Sequence, residues 1–346
     1  MNQNKSVKNI RELAEVLGLS VTTVSRVING KAESYRISPV TTKRVLEVAR
    51  KLHYHPNKIA RGLKMHKTET LGLIIPDVAN PFFASIAKTI EVESRKSGYS
   101  IILCDSLDDF ATEQELLYLM AGHKVDGIVI APVGHEHKHI EEIRQAGVPV
   151  VVVDRYFSDT NIPYIATNNY LGAFNAVEYI IDKGHKNIAC IQGIRGISAN
   201  NDRVKGYIDA LKKHNIPIDN SLLLGDDYSE ENGFIQTRLL LNRKNKPTAI
   251  FSLSNLISLG VLRAINETRL SIPDDISLVS FDEQPYSAFL ASPMTTIAQR
   301  KEEIARMSLS VLFEMIENGT VDNEVRIMLE PRLIIRDSVK NLYKKS

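Results

Sequence analysis

Hydrophobic positions follow two different patterns along the chain, and the change comes near residue 70. In the first pattern apolar side chains recur at helical spacing. Ile10, Leu13, Ala14 and Leu17 fall at i, i+3, i+4 and i+7, one face of a short helix. Gly18 is the expected stop, because glycine takes the left-handed conformation after a helix without steric cost. Ser20 is the expected N-cap of a second helix, with Val24, Val27 and Ile28 facing inward and Val21, Thr22, Ser25, Arg26 and Asn29 facing out. Ser38-Pro39 opens a third, Ser as N-cap and Pro in the first turn, with Val45, Val48, Ala49 and Leu52 as its buried stripe. Two short helices joined by a tight glycine-containing turn, with a third packed across them, predict a helix-turn-helix head. A helical hairpin with a polar outer face would show the same local pattern.

From Leu71 onward, apolar runs of strand length alternate with amphipathic segments. The runs are LGLIIP at 71–76, SIILC at 100–104, GIVIAP at 127–132, VPVVVVD at 148–154, NIACIQG at 187–193, TAIFSL at 248–253 and ISLVSFD at 276–282. Runs apolar on both faces with helical crossovers predict parallel sheets covered on both sides. Seven such units require two sheets. Between the patterns, Tyr54-His55-Pro56 breaks the third helix, and residues 57–64 form a short basic segment. It is under the ~12–15 residues an isolated helix needs, and Gly62 costs it about 1 kcal/mol more. It reads as a linker that coils only when held. Leu63 would then wedge between base pairs in a minor groove; a tether with Leu63 docked on the body is the competing reading.

Charge sharpens the division. The net charge of the 346 residues is only +2. Residues 1–68 hold 14 Lys and Arg against 4 Asp and Glu, a net +10, whereas residues 69–346 hold 29 against 37, a net −8. A basic head on an acidic body points to nucleic acid as the partner of the head. Cys104 and Cys190 both lie in apolar runs and read as small core residues in a reducing compartment, not as a bridge or a metal pair. The N-terminus is polar and no stretch approaches the ~20 apolar residues of a membrane span. A soluble, cytoplasmic protein without membrane association or cofactor is expected.

The outer face of the second helix is small and polar at its N-terminal end, as a major-groove helix must be. Thr22 and Arg26 share one face and carry base-reading chemistry. Ser20, Thr23, Ser25 and Asn29 suit phosphates, which fix register without reading sequence. The loop 31–37 carries Lys31, Tyr35 and Arg36 and is expected to be solvated. In the body, polar residues gather where doubly wound sheets bind ligands, beyond the strand ends. These are Asp77, Asn80, Phe82 and Phe83 after the first run, Asp154-Arg155 after the fourth, Ser252 and Ser254 after the sixth, and Asp282 after the seventh. Carboxylates and a guanidinium suit paired hydroxyls, and aromatic faces cover the C–H side of a sugar ring. Helix caps and strand-end ion pairs use the same residue types. The cluster His135-Glu136-His137-Lys138-His139 invites a metal reading, but it leads into a helical pattern and reads as a solvated helix start.

SVTTVSRVING, then YHPNKIARGL, then LGLIIPDVANPFF resemble the lactose-repressor/galactose-repressor family of bacterial transcription regulators. The resemblance continues through KVDGIVIAP, GVPVVVVDR, GHKNIACIQG, NDRVKGYIDAL, VSFDEQPYS and SPMTTIAQ, from Val7 to about Ser338. It implies a head that reads a palindromic double-stranded operator as a homodimer. Val21, Thr22 and Arg26 would sit where the family reads bases, with Asn57, Ala60 and Leu63 in a hinge helix. It also implies a body like periplasmic sugar-binding proteins: two α/β lobes with doubly wound parallel sheets, crossed near 164–168, 294–299 and 328–333. Asn80, Phe82, Phe83, Asp154, Arg155, Arg203, Asp282 and Gln299 match the family's effector positions, most like members that take a monosaccharide such as ribose. Ser254-Asn255 replaces a usual Asn-Asp pair, Ser280 replaces a usual Gly, and the loop 31–37 is longer than usual. The implied domains are a head at 1–55, a linker at 56–69, a first lobe at 70–165 and 297–329, a second at 166–296 and 330–340, and a tail at 341–346. No C-terminal heptads follow, so a dimer rather than a tetramer is expected.

The whole reads as a repressor whose grip on its operator is set by a monosaccharide or sugar phosphate. A cytosolic sugar-active enzyme or sugar-binding protein on the same two-lobed fold is the alternative. Against the enzyme stand the lack of a GxGxxG after the first strand and of a P-loop or nucleophile elbow.

Overall fold

Serine, proline and glycine set the limits of the head helices. Asn9 caps α1 (Ile10–Leu17) by accepting from the backbone of Arg11 and Glu12, and Gly18 ends it at φ 63°. Ser20 caps α2 (Val21–Ile28), and Ser38 caps α3 (Pro39–Lys51), which has its proline in the first turn. Leu13, Ala14, Leu17, Val24, Val27, Val45 and Ala49 form the core, with Ile28, Val48 and Leu52 half-buried against it. The loop before α3 is not simply solvated, as its polarity had suggested. Ala32 is buried in the same core, and Glu33–Tyr35 form one turn of 3-10 helix.

The computed structural model describes residues 9–54, 67–320 and 324–343. It comprises two compact units that divide between Thr68 and Glu69. The linker residues Asn57, Ala60 and Leu63 lie outside the described residues.

The body holds β1 (Thr70–Ile75), α4 (Pro81–Lys96), β2 (Ser100–Asp105), α5 (Phe110–Gly122), β3 (Gly127–Ile130), α6 (Lys138–Gln145), β4 (Val150–Val153), β5 (Tyr164–Thr167), α7 (Asn169–Asp182) and β6 (Ile188–Ile191). Then come α8 (Ser198–Lys213), β7 (Leu223–Leu224), α9 (Glu230–Leu241), β8 (Ala249–Ser252), α10 (Asn255–Asn266), β9 (Ser277–Phe281), β10 (Thr295–Ala298), α11 (Lys301–Asn318), β11 (Arg326–Leu329) and β12 (Arg332–Ile334). One sheet runs β2-β1-β3-β4-β5-β11 and the other β7-β6-β8-β9-β10-β12, so the two lobes repeat one topology. Pairing is parallel throughout except between β10 and β12. β12 leaves β11 after a two-residue link and runs back along β10.

The chain changes sheets after β5, after β10 and between β11 and β12. Pairing carries β5 to Thr167 and β10 to Ala298, two residues past the lobe limits expected at 165 and 296. The seven apolar runs became β1 to β4, β6, β8 and β9. The central strands β1, β3 and β4 are almost wholly buried, as expected of sheets covered on both sides. β2 is an edge strand and departs from that: Leu103 is exposed and Cys104 half-buried, whereas Cys190 is buried. His139 also departs from expectation. Instead of sitting in a solvated helix start it is buried, with Nε2 2.7 Å from Glu113 Oε1. Glu113 Oε2 accepts from the backbone of Val133 at 2.6 Å. No helix among the described residues is long and apolar enough to cross a membrane.

Candidate functional site

Segments leaving the C-terminal ends of strands in both sheets enclose a cavity of about 310 Å³. Its lining includes Asn80, Phe82, Phe83, Asp154, Arg155, Arg203, Ser254, Asp282 and Gln299. All nine were singled out from the sequence, and the fold draws them together from six separate segments of chain. Asn80 caps α4 by accepting from Phe82 N at 3.0 Å, and it accepts from Asn255 Nδ2 of the opposite lobe at 3.1 Å. Phe82 and Phe83 meet edge to face, ring centres 5.0 Å apart, and give the first lobe an aromatic wall. The lobes also meet beside the cavity, where Tyr156 donates its backbone N–H to Ser198 Oγ and its hydroxyl to Asp202, each at 2.8 Å.

Two aspartates occupy matching places. Asp154 ends β4 at φ 66° and Asp282 ends β9 at φ 75°, and these strands are equivalent in the two lobes. Non-glycine residues adopt the left-handed region at an energetic cost, and Asp is among the few that tolerate it. Here it turns two carboxylates from the strand ends into one cavity. Gln299 links the lobes from the second crossing: its Nε2 donates to Asp282 Oδ1 at 2.5 Å, and its Oε1 accepts from the Thr167 hydroxyl. Arg203 is buried with its Nε on Asn169 Oδ1 at 2.8 Å and one Nη on the carbonyl of Leu253 at 2.6 Å. Its guanidinium stacks on Phe281, 3.7 Å from the ring centre. Arg155 is held by Asp108 at 2.9 Å and by the carbonyl of Pro132 at 3.0 Å.

Three buried polar atoms of cavity residues have no hydrogen-bond partner among the described residues: Asp154 Oδ1, the Tyr228 hydroxyl and Asn255 Oδ1. Buried polar atoms are almost always bonded, so such orphans need an explanation. Burial pushes Asp154 up to about 6, against the pull of Arg203 and Arg155 and with help from Asp282 and Asp108. Burial also pushes Tyr228 up to about 12, so at neutral pH it is a hydrogen-bond donor. The cavity therefore offers two acceptors and a donor at full strength, a combination suited to vicinal hydroxyls.

The Asp154 shift has a consequence for stability. Its carboxyl ionises near 3.8 ordinarily and near 6 in the fold, so the native state holds the proton more tightly. That contribution is complete below about pH 4 and is lost as the pH rises through about 6. Above that, the ionised group costs about 1–3 kcal/mol. Asp154→Asn is expected to raise the melting temperature of the ligand-free protein at pH 8 and to leave it nearly unchanged at pH 4. Calorimetry at both values checks this, and an equal rise at both would mean that charge is not the cause.

Several cavity residues escaped the sequence reading. Asp227, Tyr228 and Ser229 follow β7, a strand of two residues that shows no usable periodicity. The signal was the triplet itself, a carboxylate, an aromatic and a helix cap just after Leu224-Gly225. Asp108 was equally hidden, and Asn169 matters because it holds Arg203. Ser252 and Ser280, in contrast, do not line the cavity. Their hydroxyls meet Ser258 beneath the second sheet's strand ends. Ser254 caps α10 by accepting from Ile257 N at 3.2 Å, which leaves its own hydrogen to donate.

In the head, Val21 and Thr22 are exposed on the outer face of α2. The Ser20 and Thr23 hydroxyls lie 2.8 Å apart, and Asn29 Nδ2 donates to the carbonyl of Ser25 at 2.7 Å and approaches its hydroxyl at 3.3 Å. Arg26 shares that face, and its guanidinium lies over the ring of Tyr35.

The family model described as bacterial regulatory proteins, lacI family, matches residues 9–57, and a periplasmic binding protein-like domain matches residues 177–339. Catabolite control protein A of Priestia megaterium is 35% identical over 96% of this chain and 99% of its own length. The HTH-type transcriptional repressor PurR of Actinobacillus pleuropneumoniae is 32% identical over 97% of this chain and 99% of its own. Among solved structures, a transcriptional regulator CelR-cellobiose complex is 27% identical, covers 96% of this chain and 100% of its own, and superimposes with a TM-score of 0.73.

Proposed function

Since the chain belongs to the lacI family of bacterial regulatory proteins and is a transcriptional repressor, we propose that α2 reads a two-fold operator in a homodimer and that a neutral monosaccharide in the body cavity sets its affinity. The observation that carries the effector class is the trio of orphaned polar atoms beside paired carboxylates and an aromatic wall. The volume supports a single sugar ring rather than a larger ligand. Charge argues against a sugar phosphate. Asp77, Asp108, Asp154, Asp227 and Asp282 line the cavity against Arg155 and Arg203, both of which already have protein partners. The cellobiose complex of the CelR regulator is a precedent for a sugar ligand in a related regulator.

A C2 dimer suits a two-fold site, whose half-site spacing follows from geometry. Family-scale coupling between effector and operator is about 1–3 kcal/mol, roughly 5- to 150-fold in operator affinity. The test is operator binding by mobility shift with neutral pentoses and hexoses and, in parallel, their phosphates. A response to a neutral sugar is expected. A response to the phosphates alone would reverse the charge argument.

Thr22 and Arg26 are the proposed base readers, with Val21 beside them and Ser20, Thr23, Ser25 and Asn29 at the backbone. Arg26→Ala is expected to cost about 1–3 kcal/mol and to relax base preference at one position of each half-site. Equal weakening on every sequence would make Arg26 a phosphate contact instead.

A further inference from the structure

The loop between α2 and α3 puts an aromatic ring against the arginine assigned to base reading. Arg26 Cζ lies 3.8 Å from the centre of the Tyr35 ring. The loop that presents Tyr35 is anchored at both ends. Lys31 donates its backbone N–H to the carbonyl of Arg26 itself at 2.8 Å, and Ile37 donates to that of Ala32 at 2.9 Å. Ala32 is buried in the head core, and the turn closes with Arg36 in the left-handed region at φ 52°. Tyr35 itself is 49% exposed and is not part of that core. A rigid loop thus holds an exposed ring over one side chain of the reading helix.

We propose that Tyr35 is a positioning residue for operator reading, fixing the Arg26 guanidinium before DNA arrives. This rests on the reading of Arg26 as a base contact. A guanidinium has two separable surfaces. Its face stacks on an aromatic ring, whereas its N–H donors lie in the plane and point outward from the edge. Tyr35 takes the face and leaves the edge for the O6/N7 pair of guanine. A long side chain already held in one rotamer loses less freedom on docking, and it tolerates a wrong base poorly because it cannot swing aside.

The experiment uses the full chain and a duplex selected from random sequence, with anisotropy titrations on the selected site and on single-base variants at several salt concentrations. Tyr35→Ala and Tyr35→Leu are expected to reduce discrimination at the Arg26-dependent position about 2- to 5-fold. They should leave discrimination elsewhere and the salt dependence unchanged, and do nothing further in an Arg26→Ala background. Tyr35→Phe keeps the π face and is expected to behave as the natural protein. Leucine fills the space of the ring without its face, so the pair of variants separates stacking from bulk, and melting of each variant checks that the head stays folded. If Tyr35→Phe weakens binding equally on all sequences, the hydroxyl is a DNA contact and the proposal falls. It falls too if Tyr35→Ala retains full discrimination, or loses as much again without Arg26. If Arg26→Ala itself leaves base preference intact, the base-reading assignment is what failed.

Discussion

Asp282→Ala is expected to weaken effector binding by about 2–5 kcal/mol, roughly 30- to 4000-fold, because it removes one partner of a buried, charge-assisted hydrogen-bond set. Operator binding without effector should stay intact, since Asp282 lies in the body unit and the reading helix in the other. The carboxylate is buried, holds the Gln299 amide, and through it reaches Thr167 on β5, the strand of the first crossing. Alanine would leave that amide without its acceptor and would also sit poorly at φ 75°. Asp282→Asn separates the two effects. Asparagine tolerates the left-handed region but presents a donor where an acceptor stood, so an intermediate loss is expected. Calorimetric titration with the sugar that shifts the operator complex measures both. A normal response in both variants would remove Asp282 from the site.

Gly260→Ala should be the most damaging single methyl in the second lobe. A Cβ there would lie 2.0 Å from the carbonyl oxygen of Glu230 and 2.5 Å from the nitrogen of Phe234. On the facing helix, a Cβ at Gly233 would lie 2.1 Å from the carbonyl oxygen of Ile257. α9 and α10 therefore touch backbone to backbone, and no flexible side chain can yield. The expected destabilisation is about 3 kcal/mol or more, the upper end for overpacking. Because α10 begins at Ser254 and Asn255, parting the helices also displaces two cavity residues, so effector affinity should fall with stability. Gly122→Ala is the control. It ends α5, meets nothing within 4 Å, and should be neutral or gain a few tenths of a kcal/mol. Urea unfolding of the three proteins gives the comparison, and equal midpoints for Gly260→Ala and Gly122→Ala would refute the close crossing.

The head was legible residue by residue. Ser20, Ser38 and Gly18 act on neighbours within four positions, and the apolar stripes of α1 to α3 repeat within a turn. The central strands were legible too, because a strand covered on both faces must be apolar at every position. β5, β7, β10, β11 and β12 were not: β7 has only two residues, and polar residues interrupt the others, as in TTIA, RIML and RLI, so no continuous apolar run marks them. His139 was misjudged for a related reason. Its charged neighbours suggested solvent, whereas Glu113, 26 residues earlier, decides that it is buried.

The amino-acid order by itself determined the helices, the main strands, the split between a basic head and an acidic body, and the strand-end polar residues that compete to be a site. Which of those residues share a cavity was decided by the tertiary fold. Asn80 meets Asn255 across 175 positions, and Thr167 meets Gln299 across 132. The fold likewise kept Ser252 out of the cavity, brought Tyr228 into it and laid Tyr35 over Arg26. Helices and strands are stabilised by contacts a few residues apart, and those leave a period in the chain. A cavity is made by side chains that become neighbours when whole sheets stack and cross, and that proximity leaves no local mark.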